Sequence, residues 1–409
     1  MVFLIFFLPL YPKMIQLPEE FIRETRLMMG EERFNSYMEA FNEEAPTSIR
    51  LNTGAMNTGA RPQHQVPWCK EGFYLEGRPQ FTFDPLFHAG CYYVQEAASM
   101  FVTHVLRQFI HEPVAMLDLC AAPGGKSTAA RSVLPGESVL VSNEPIPTRA
   151  QILLENITKW GWSDCIVTNN YPRDFRQAKT KFDVILCDVP CSGEGMFRKD
   201  PATIGEWSLQ NVEKCWRLQR EIVADAWECL NPGGILIYST CTFNTKENEE
   251  NVRWIIDTYD AEIQEIPTKQ EWHITGSLLD DFDAPVYRFI PGITQSEGLF
   301  MAVLRKGGIK SGVGTKNNIQ RLKVLKADLP EGDFPQVDLS YSAALQYLRG
   351  EALALPADTP RGFVTVTYKG FPLGPVKNIG NRANNLYPKP WRIKTTHLPS
   401  EEIKIIDIQ

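Results

Sequence analysis

Two short stretches of the sequence stop an apolar run in the same way. Residues 186–196 read LCDVPCSGEGM, and residues 237–243 read IYSTCTF. Each places a cysteine, Cys191 or Cys241, just past the last strand-like residue, where polar residues begin. A structural cysteine usually sits inside an apolar run as a small hydrophobe. One at the polar end of a strand in an α/β protein stands where such proteins do their chemistry. A thiolate there is a nucleophile for covalent catalysis. Zinc is a poor alternative, because Cys187, Cys191 and Cys241 form no C-x-x-C pair and no histidine lies near them in sequence. A disulfide across the two strand ends is conceivable but disfavoured in a reducing compartment.

A second stretch, LDLCAAPGGKST (117–128), follows a strand-like run and opens a helix. Cys120, Ala121, Ala122, Pro123, Gly124, Gly125 and Lys126 make a turn whose small residues let a ligand approach the backbone. A P-loop would need glycine six positions before Lys126, where Cys120 stands, and the G-x-G-x-x-G of a dinucleotide loop is not there either. An S-adenosylmethionine loop remains, and it expects an acidic residue after the next strand to take the ribose hydroxyls. Glu144, in SVLVSNEP, stands there. S-adenosylmethionine is therefore the expected cofactor. Beside a methyl donor the thiols gain a purpose. Carbon 5 of a pyrimidine is too weak a nucleophile to take a methyl group until a thiolate adds to carbon 6. A general base must then remove the carbon-5 proton. One cysteine suffices for the attack, so the second needs another task.

These groups need a frame. From residue 113 strands and helices alternate. AMLDL (115–119), SVLVSN (138–143), CIVTN (165–169), FDVILCD (182–188) and GILIYST (234–240) read as strands. Helical patterns run from Gly124, over 147–160 and 208–230, and through TKENEENVRWIIDTY, where Thr245 is the expected cap. NPGG is expected to break the 208–230 helix, and GLFMAVLRK (298–306) to form a last, antiparallel strand. Such alternation implies a mostly parallel sheet covered on both faces. Before it, YYVQEAASMFVTHVL (92–106) reads as an amphipathic helix. After it come a Gly/Lys/Ser-rich linker, KGGIKSGVGTKNN (306–318), and an expected hairpin, GFVTVTYKGFPLG.

The 409 residues, 43% hydrophobic and 22% charged, have room for two or three domains. A net charge of −7 leaves no global pull toward nucleic acid, so any basic surface must be local. One such stretch exists: residues 361–397 hold Arg361, Lys369, Lys377, Arg382, Lys389, Arg392 and Lys394 and no acid. Tyr368, Phe371, Tyr387 and Trp391 are interleaved with them, a mixture that points to RNA. Nine cysteines without regular spacing fit a cytoplasmic setting rather than a secreted one. The opening MVFLIFFLPLYPK is too short for a bilayer and unlike a signal peptide; Met14 is the expected natural start. No membrane association and no more than a monomer is expected.

Taken together, DVPCSGEG, the STC stretch about fifty residues later and the CAAPGGK loop before them resemble the Nol–Nop–Sun family of RNA cytosine-carbon-5 methyltransferases. The resemblance runs from about 48 to 306 and includes SIRLN and YYVQEA. The tail LGPVKNIGNRANNLYPKPWRI resembles the PUA-like RNA-binding part of the bacterial RsmF-like branch, which acts on small-subunit rRNA. The fold so implied is a Rossmann-like, seven-stranded α/β methyltransferase core with an N-terminal α+β extension and a small C-terminal PUA-like α/β domain. The expected divisions are 14–112 for an RNA-binding extension, 113–306 for the methyltransferase and 319–409 for the PUA-like domain. The resemblance makes Cys241 the nucleophile and Cys191 the residue that assists product release. It places Asp188 against the cytosine edge and the methyl donor, Cys120 to Lys126 in the cofactor loop, and Glu144 on the ribose.

One position departs from the family. Tyr171 stands where an adenine-binding aspartate is usual, leaving Asn169, Asn170 or a backbone carbonyl for that contact. DNA cytosine methyltransferases are a rival, since their nucleophile is also a Pro-Cys thiol. Their E-N-V triplet is matched here only by Glu250, Asn251 and Val252, beyond the second cysteine, which reads as chance. RNA, not DNA, is the expected partner, with 16S rRNA ahead of tRNA. A catalytically inactive ribosome-assembly factor would have lost the loop or Cys241, and both are intact.

Overall fold

The computed structural model describes residues 15–54, 62–309, 318–395 and 397–407. The expected start at Met14 and most of the expected linker lie outside these residues. The chain opens with helices α1 (Glu19–Met29) and α2 (Glu31–Glu39). An antiparallel sheet follows, built from β1 (Thr47–Leu51), β2 (His64–Gln65), β3 (Gly72–Leu75) and β4 (Tyr92–Val94) in the order β2-β3-β1-β4, with the short helix α3 (Pro85–His88) before β4. The helix expected over 92–106 is therefore split. Tyr92–Val94 pairs with β1, and helix α4 begins only at Phe101 and ends at Phe109. The tyrosines and Val94 take the edge of a half-built sheet, so pairing overrides local helical spacing.

The core then alternates β5 (Ala115–Asp118), α5 (Gly125–Arg131), β6 (Val139–Asn143), α6 (Pro147–Trp160), β7 (Cys165–Thr168), α7 (Pro172–Gln177), β8 (Phe182–Asp188), α8 (Leu209–Cys229), β9 (Leu230–Thr240) and α9 (Glu249–Tyr259). β10 (Glu262–Ile263), β11 (Tyr287–Phe289) and β12 (Leu299–Arg305) complete one side. β5 to β9 are parallel, and β12 runs antiparallel to β9 as expected. Alternate residues feed two cores. Met116, Val184, Leu186, Ile235 and Ile237 face one layer; Leu117, Ile185, Leu236 and Tyr238 face the other. That two-sided burial explains the unbroken apolar run of FDVILCD.

The sheet has nine strands, because β13 (Val324–Leu325), past the linker, returns to pair with β7 at the edge. NPGG does not lie between a helix and a strand: Leu230–Thr240 is one strand, with a register shift opposite Phe182. Thr245 accepts the Glu250 N–H through its backbone carbonyl, while Asn248 is the residue that precedes α9.

The C-terminal sheet is β14 (Gln336–Asp338), β15 (Gly362–Tyr368), β16 (Phe371–Asn378) and β17 (Ala383–Asn385), with α10 (Tyr341–Arg349) packed on it. It shares one apolar core with the N-terminal sheet, in which Ile49, Phe73, Leu86 and Tyr92 join Leu345, Leu348, Val364 and Val376. Tyr341 Oη donates to the Phe83 carbonyl across this junction at 3.0 Å. No helix among the described residues is long and apolar enough to cross a membrane.

Candidate active site

The sheet order reverses at β5, with β6 on one side and β8 on the other. In open α/β sheets the crevice at such a reversal, beyond the carboxyl ends of the strands, is where ligands bind. All three stretches singled out from the sequence end there. The loop 119–124 follows β5, Cys191 follows β8 and Cys241 follows β9. β8 and β9 are neighbours in register, Asp188 opposite Ser239, so their two cysteines are brought side by side. Cys191 Sγ and Cys241 Sγ lie 3.2 Å apart. The hydrogen bond to Cys241, with burial second, pushes the Cys191 thiol well above its usual range.

Beside the thiols, Lys126 Nζ donates to Asp188 Oδ2 at 2.8 Å, and Ser239 Oγ donates to Asp188 Oδ1 at 2.7 Å. Burial alone would pull the Lys126 ammonium down, but Asp188 and the nearby Cys241 and Asp118 outweigh it and hold it above its usual value. A fixed positive charge thus sits within reach of Cys241. Asp188 keeps a second lone pair on each oxygen for a further donor.

The loop is held from several sides. Gly124 takes a positive φ of 114°, and an added Cβ would press on Leu153, 3.2 Å away. Arg149 Nη2 donates to the Ala122 carbonyl at 3.1 Å and Asn156 Nδ2 to the Pro123 carbonyl at 2.8 Å, both from α6. The Ala121 N–H donates to the Asn143 carbonyl, while Gly125 opens α5. Burial, with Cys187 and Asp118 adding, pushes the Cys120 thiol well up.

Glu144 is 1% exposed at the end of β6. Its Oε1 accepts the Ile146 N–H at 3.0 Å, while Oε2 has an arginine, Arg149, at 3.5 Å but no hydrogen bond. Asp118, fully buried at the end of β5, accepts from Ser127 Oγ through Oδ2 and has no donor on Oδ1. Burial lifts the Asp118 carboxyl to about 7, with Asp188 adding to it. Open acceptors on Glu144 and Asp118, beside Asp188, suit a cationic ligand rich in hydroxyl and ammonium donors. S-adenosylmethionine has that chemistry, so the residues present fit it.

The expected adenine contacts are otherwise engaged. Tyr171 is 56% exposed, and its N–H is taken by Asp174. Asn169 Oδ1 accepts from Lys323 Nζ, and Asn170 Oδ1 from the Lys323 N–H. The segment around β13 supplies these partners, which no local pattern announces. The near-match to E-N-V falls on α9, where Asn251 Nδ2 donates to Gln219 Oε1 and Tyr238 Oη.

Sequence reading gave no role to Arg50, Gln95, Asp118, Ser239, Glu194 or Glu247. Arg50 is wholly buried; it donates to Gln95 Oε1 and, through Nη2, to Thr128 Oγ1 at 2.6 Å, tying the N-terminal sheet to α5. Its signal was present, since SIRLN and YYVQEA are the stretches that hold Arg50 and Gln95. In the C-terminal domain the basic and aromatic stretch is less open than expected. Tyr368 and Tyr387 are core residues at 4% and 2% exposure, and Arg392 donates to the Tyr387 carbonyl. Lys377, Arg382 and Lys389 remain exposed.

Comparison with known proteins agrees region by region. The family described as 16S rRNA methyltransferase RsmB/F matches residues 107–305. The N-terminal domain of 16S rRNA methyltransferase RsmF matches 17–97, and the methyltransferase RsmF PUA domain matches 334–393. Ribosomal RNA small subunit methyltransferase F of Pectobacterium atrosepticum is 35% identical over 316 residues, 71% of this chain and 63% of that protein. The Escherichia coli protein of the same name is 32% identical over 308 residues, 71% of this chain and 64% of its own length. The chain thus spans just under two thirds of these relatives. A methyltransferase homolog from Pyrococcus horikoshii has a solved structure that matches with a TM-score of 0.58 at 26% identity, over 71% of this chain and all of that one. The structure of NSun6 from Pyrococcus horikoshii gives the same TM-score at 21% identity, covering 71% of this chain and 99% of its own, which speaks to the fold alone. Three successive matches, in the order N-terminal domain, catalytic domain and PUA domain, make the chain similar along most of its length to proteins of the RsmB/F type.

Proposed function

We propose that the protein transfers a methyl group from S-adenosylmethionine to carbon 5 of a cytosine in small-subunit rRNA, through a covalent link to Cys241. The observation that carries this reading is the pair of thiols 3.2 Å apart beside the Lys126–Asp188 ion pair. S-adenosylmethionine, held by the 120–126 loop, Asp118 and Glu144, supplies an electrophilic methyl group when bound.

The rest is the work of the chain. The target base must leave its stack to reach a thiol at the carboxyl ends of the sheet. Lys126 favours the thiolate of Cys241 by its fixed charge. That sulfur adds to carbon 6, forming the S–C6 bond and moving the C5=C6 electron pair onto carbon 5. Asp188, with its remaining lone pairs, accepts from the cytosine amino group and keeps the ring in place. After methylation, a base takes the carbon-5 proton and the C5=C6 bond reforms as the S–C6 bond breaks. Cys191, kept protonated, donates its S–H to the departing Cys241 sulfur and so eases release. Neither cysteine is consumed. The C-terminal domain, with Lys377, Arg382 and Lys389 exposed, supplies RNA affinity rather than chemistry.

A denaturing gel with labelled 16S rRNA tests the assignment. A slow, S-adenosylmethionine-dependent band should build up with Cys191→Ala and be absent with Cys241→Ala and with the double variant. A band that builds up with Cys241→Ala instead would exchange the roles and sink the proposal.

A further inference from the structure

The two cysteine loops are joined by carboxylates that each reach into the other loop. Glu194, on the Cys191 side, accepts the Phe243 N–H at 2.7 Å and the Asn244 N–H at 3.0 Å through Oε2. Its Oε1 accepts from Trp207 Nε1 at 2.9 Å and Asn244 Nδ2 at 3.1 Å. Glu247, on the Cys241 side, accepts the Ser192 N–H at 3.1 Å and Gln219 Nε2 at 2.6 Å through Oε2. Its Oε1 accepts from Asn244 Nδ2 at 2.8 Å. Gln219 Nε2 also donates to the Pro190 carbonyl, so it fastens Glu247 to the residue before Cys191. The Gly195 N–H donating to the Cys241 carbonyl at 2.8 Å closes the frame. Glu194 and Glu247 are buried, at 3% and 0% exposure.

Two buried carboxylates facing one loop junction are not what stability selects. Apolar residues of similar volume commonly serve as well or better in such places. Each of these carboxylates meets N–H donors, three of them backbone, and directional bonds of that kind set position. The backbone they fix is the backbone next to the two thiols. Cys191 precedes Ser192, and Cys241 lies two residues before Phe243.

We propose that Glu194 and Glu247 form a reciprocal brace that holds Cys191 against Cys241, and that Glu247 is a positioning residue for the release step. This rests on the mechanism proposed above for the two thiols. Loosening the brace should separate the sulfurs and slow the departure of Cys241 more than its attack. Glu247→Gln keeps the size of the side chain but turns an amide NH2 toward donors.

Two measurements on the full-length protein test this. Phenylarsine oxide joins two neighbouring thiols in a cyclic adduct, its As=O oxygen leaving as water with the two thiol protons. Capture by the Cys191–Cys241 pair should fall about tenfold in Glu247→Gln, as expected for a lost hydrogen bond, and to background in Cys191→Ala. With 16S rRNA and S-adenosylmethionine, Glu247→Gln should accumulate the denaturation-resistant RNA adduct and turn over slowly, with unchanged affinity for S-adenosylmethionine. A general loss of structure would instead lower adduct and turnover together. Gln219→Leu removes a donor to Glu247 without touching either carboxylate and should give the same pattern in weaker form if Glu247→Gln does not fold. Unchanged arsenical capture overturns the brace. Weakened capture with no adduct build-up overturns its part in release. If Cys191→Ala itself forms no adduct, the mechanism falls, while arsenical capture still decides the brace.

Discussion

The crevice at the strand ends and the junction between the C-terminal domain and the N-terminal sheet are held together by opposite means. In the crevice, buried charges and directional bonds dominate: Lys126 to Asp188, Ser239 to Asp188, Glu194 and Glu247 to backbone N–H groups. At the junction, Ile49, Phe73, Leu86 and Tyr92 meet Leu345, Leu348, Val364 and Val376 in one apolar core, with few hydrogen bonds across it. Apolar contact is non-directional and scales with area, so it stabilises a relative placement without demanding one atom opposite another. Carboxylates and thiols that must meet a reacting atom need that demand. The molecule separates the two tasks.

The sharpest break of this contrast is Cys241→Ala set against Leu348→Ala. The first should abolish methyl transfer, a complete loss, and leave the urea midpoint unchanged. The second removes a fully buried side chain from the junction and should cost roughly 2–5 kcal/mol, with the chemical step intact at a temperature where the protein stays folded. A stability loss with Cys241→Ala of that same size would show that the crevice also carries the fold.

Within the crevice, Glu144→Ala should weaken S-adenosylmethionine binding about ten- to a hundred-fold by titration calorimetry, because a charge-assisted hydrogen bond is lost. Native affinity would remove Glu144 from the ribose contact.

Asp118 offers a pH test. Burial raises its folded pKa to about 7, so the native state holds a proton that the unfolded chain releases in the usual carboxylate range. Its contribution to stability therefore falls as pH rises from about 4 to 7 and stays low above that. Asp118→Asn should be as stable as the parent near pH 4 and more stable by up to about 4 kcal/mol above pH 7, about 1.4 kcal/mol for each of the roughly three pH units between the two pKa values. Equal urea midpoints at both pH values would contradict this.

The smallest effect is expected outside both regions. Reversing the charges of Lys377, Arg382 and Lys389 should weaken RNA binding a few-fold and flatten its salt dependence. Arg392 is left intact in this test, because its guanidinium donates to the Tyr387 carbonyl and packs on Gly350. An unchanged slope of affinity against salt would assign RNA binding elsewhere.

Much of the arrangement at the strand ends was legible along the chain. Cys191, Cys241, Asp188, the 120–126 loop and Glu144 all lie within a few residues of a strand end, and strand ends can be read from apolar runs. Reading failed where a contact joins distant segments. β4 has a helical local pattern, but its pairing partner, β1, lies about forty residues earlier. The basic and aromatic stretch has an open local pattern, because nothing local says that Tyr368 and Tyr387 face a core.

The residue types and their spacing determined by themselves the parallel sheet, the small-residue turn at 120–126 and two cysteines at neighbouring strand ends, because each depends on a local pattern. Tertiary structure alone decided the distance between the thiols, the buried Arg50 that ties the N-terminal sheet to α5, the return of β13 to the core sheet, and the crossed carboxylates of Glu194 and Glu247. Each of these rests on a hydrogen bond or contact between residues far apart in sequence, and such a pairing forms only once the sheet has set the register of its strands.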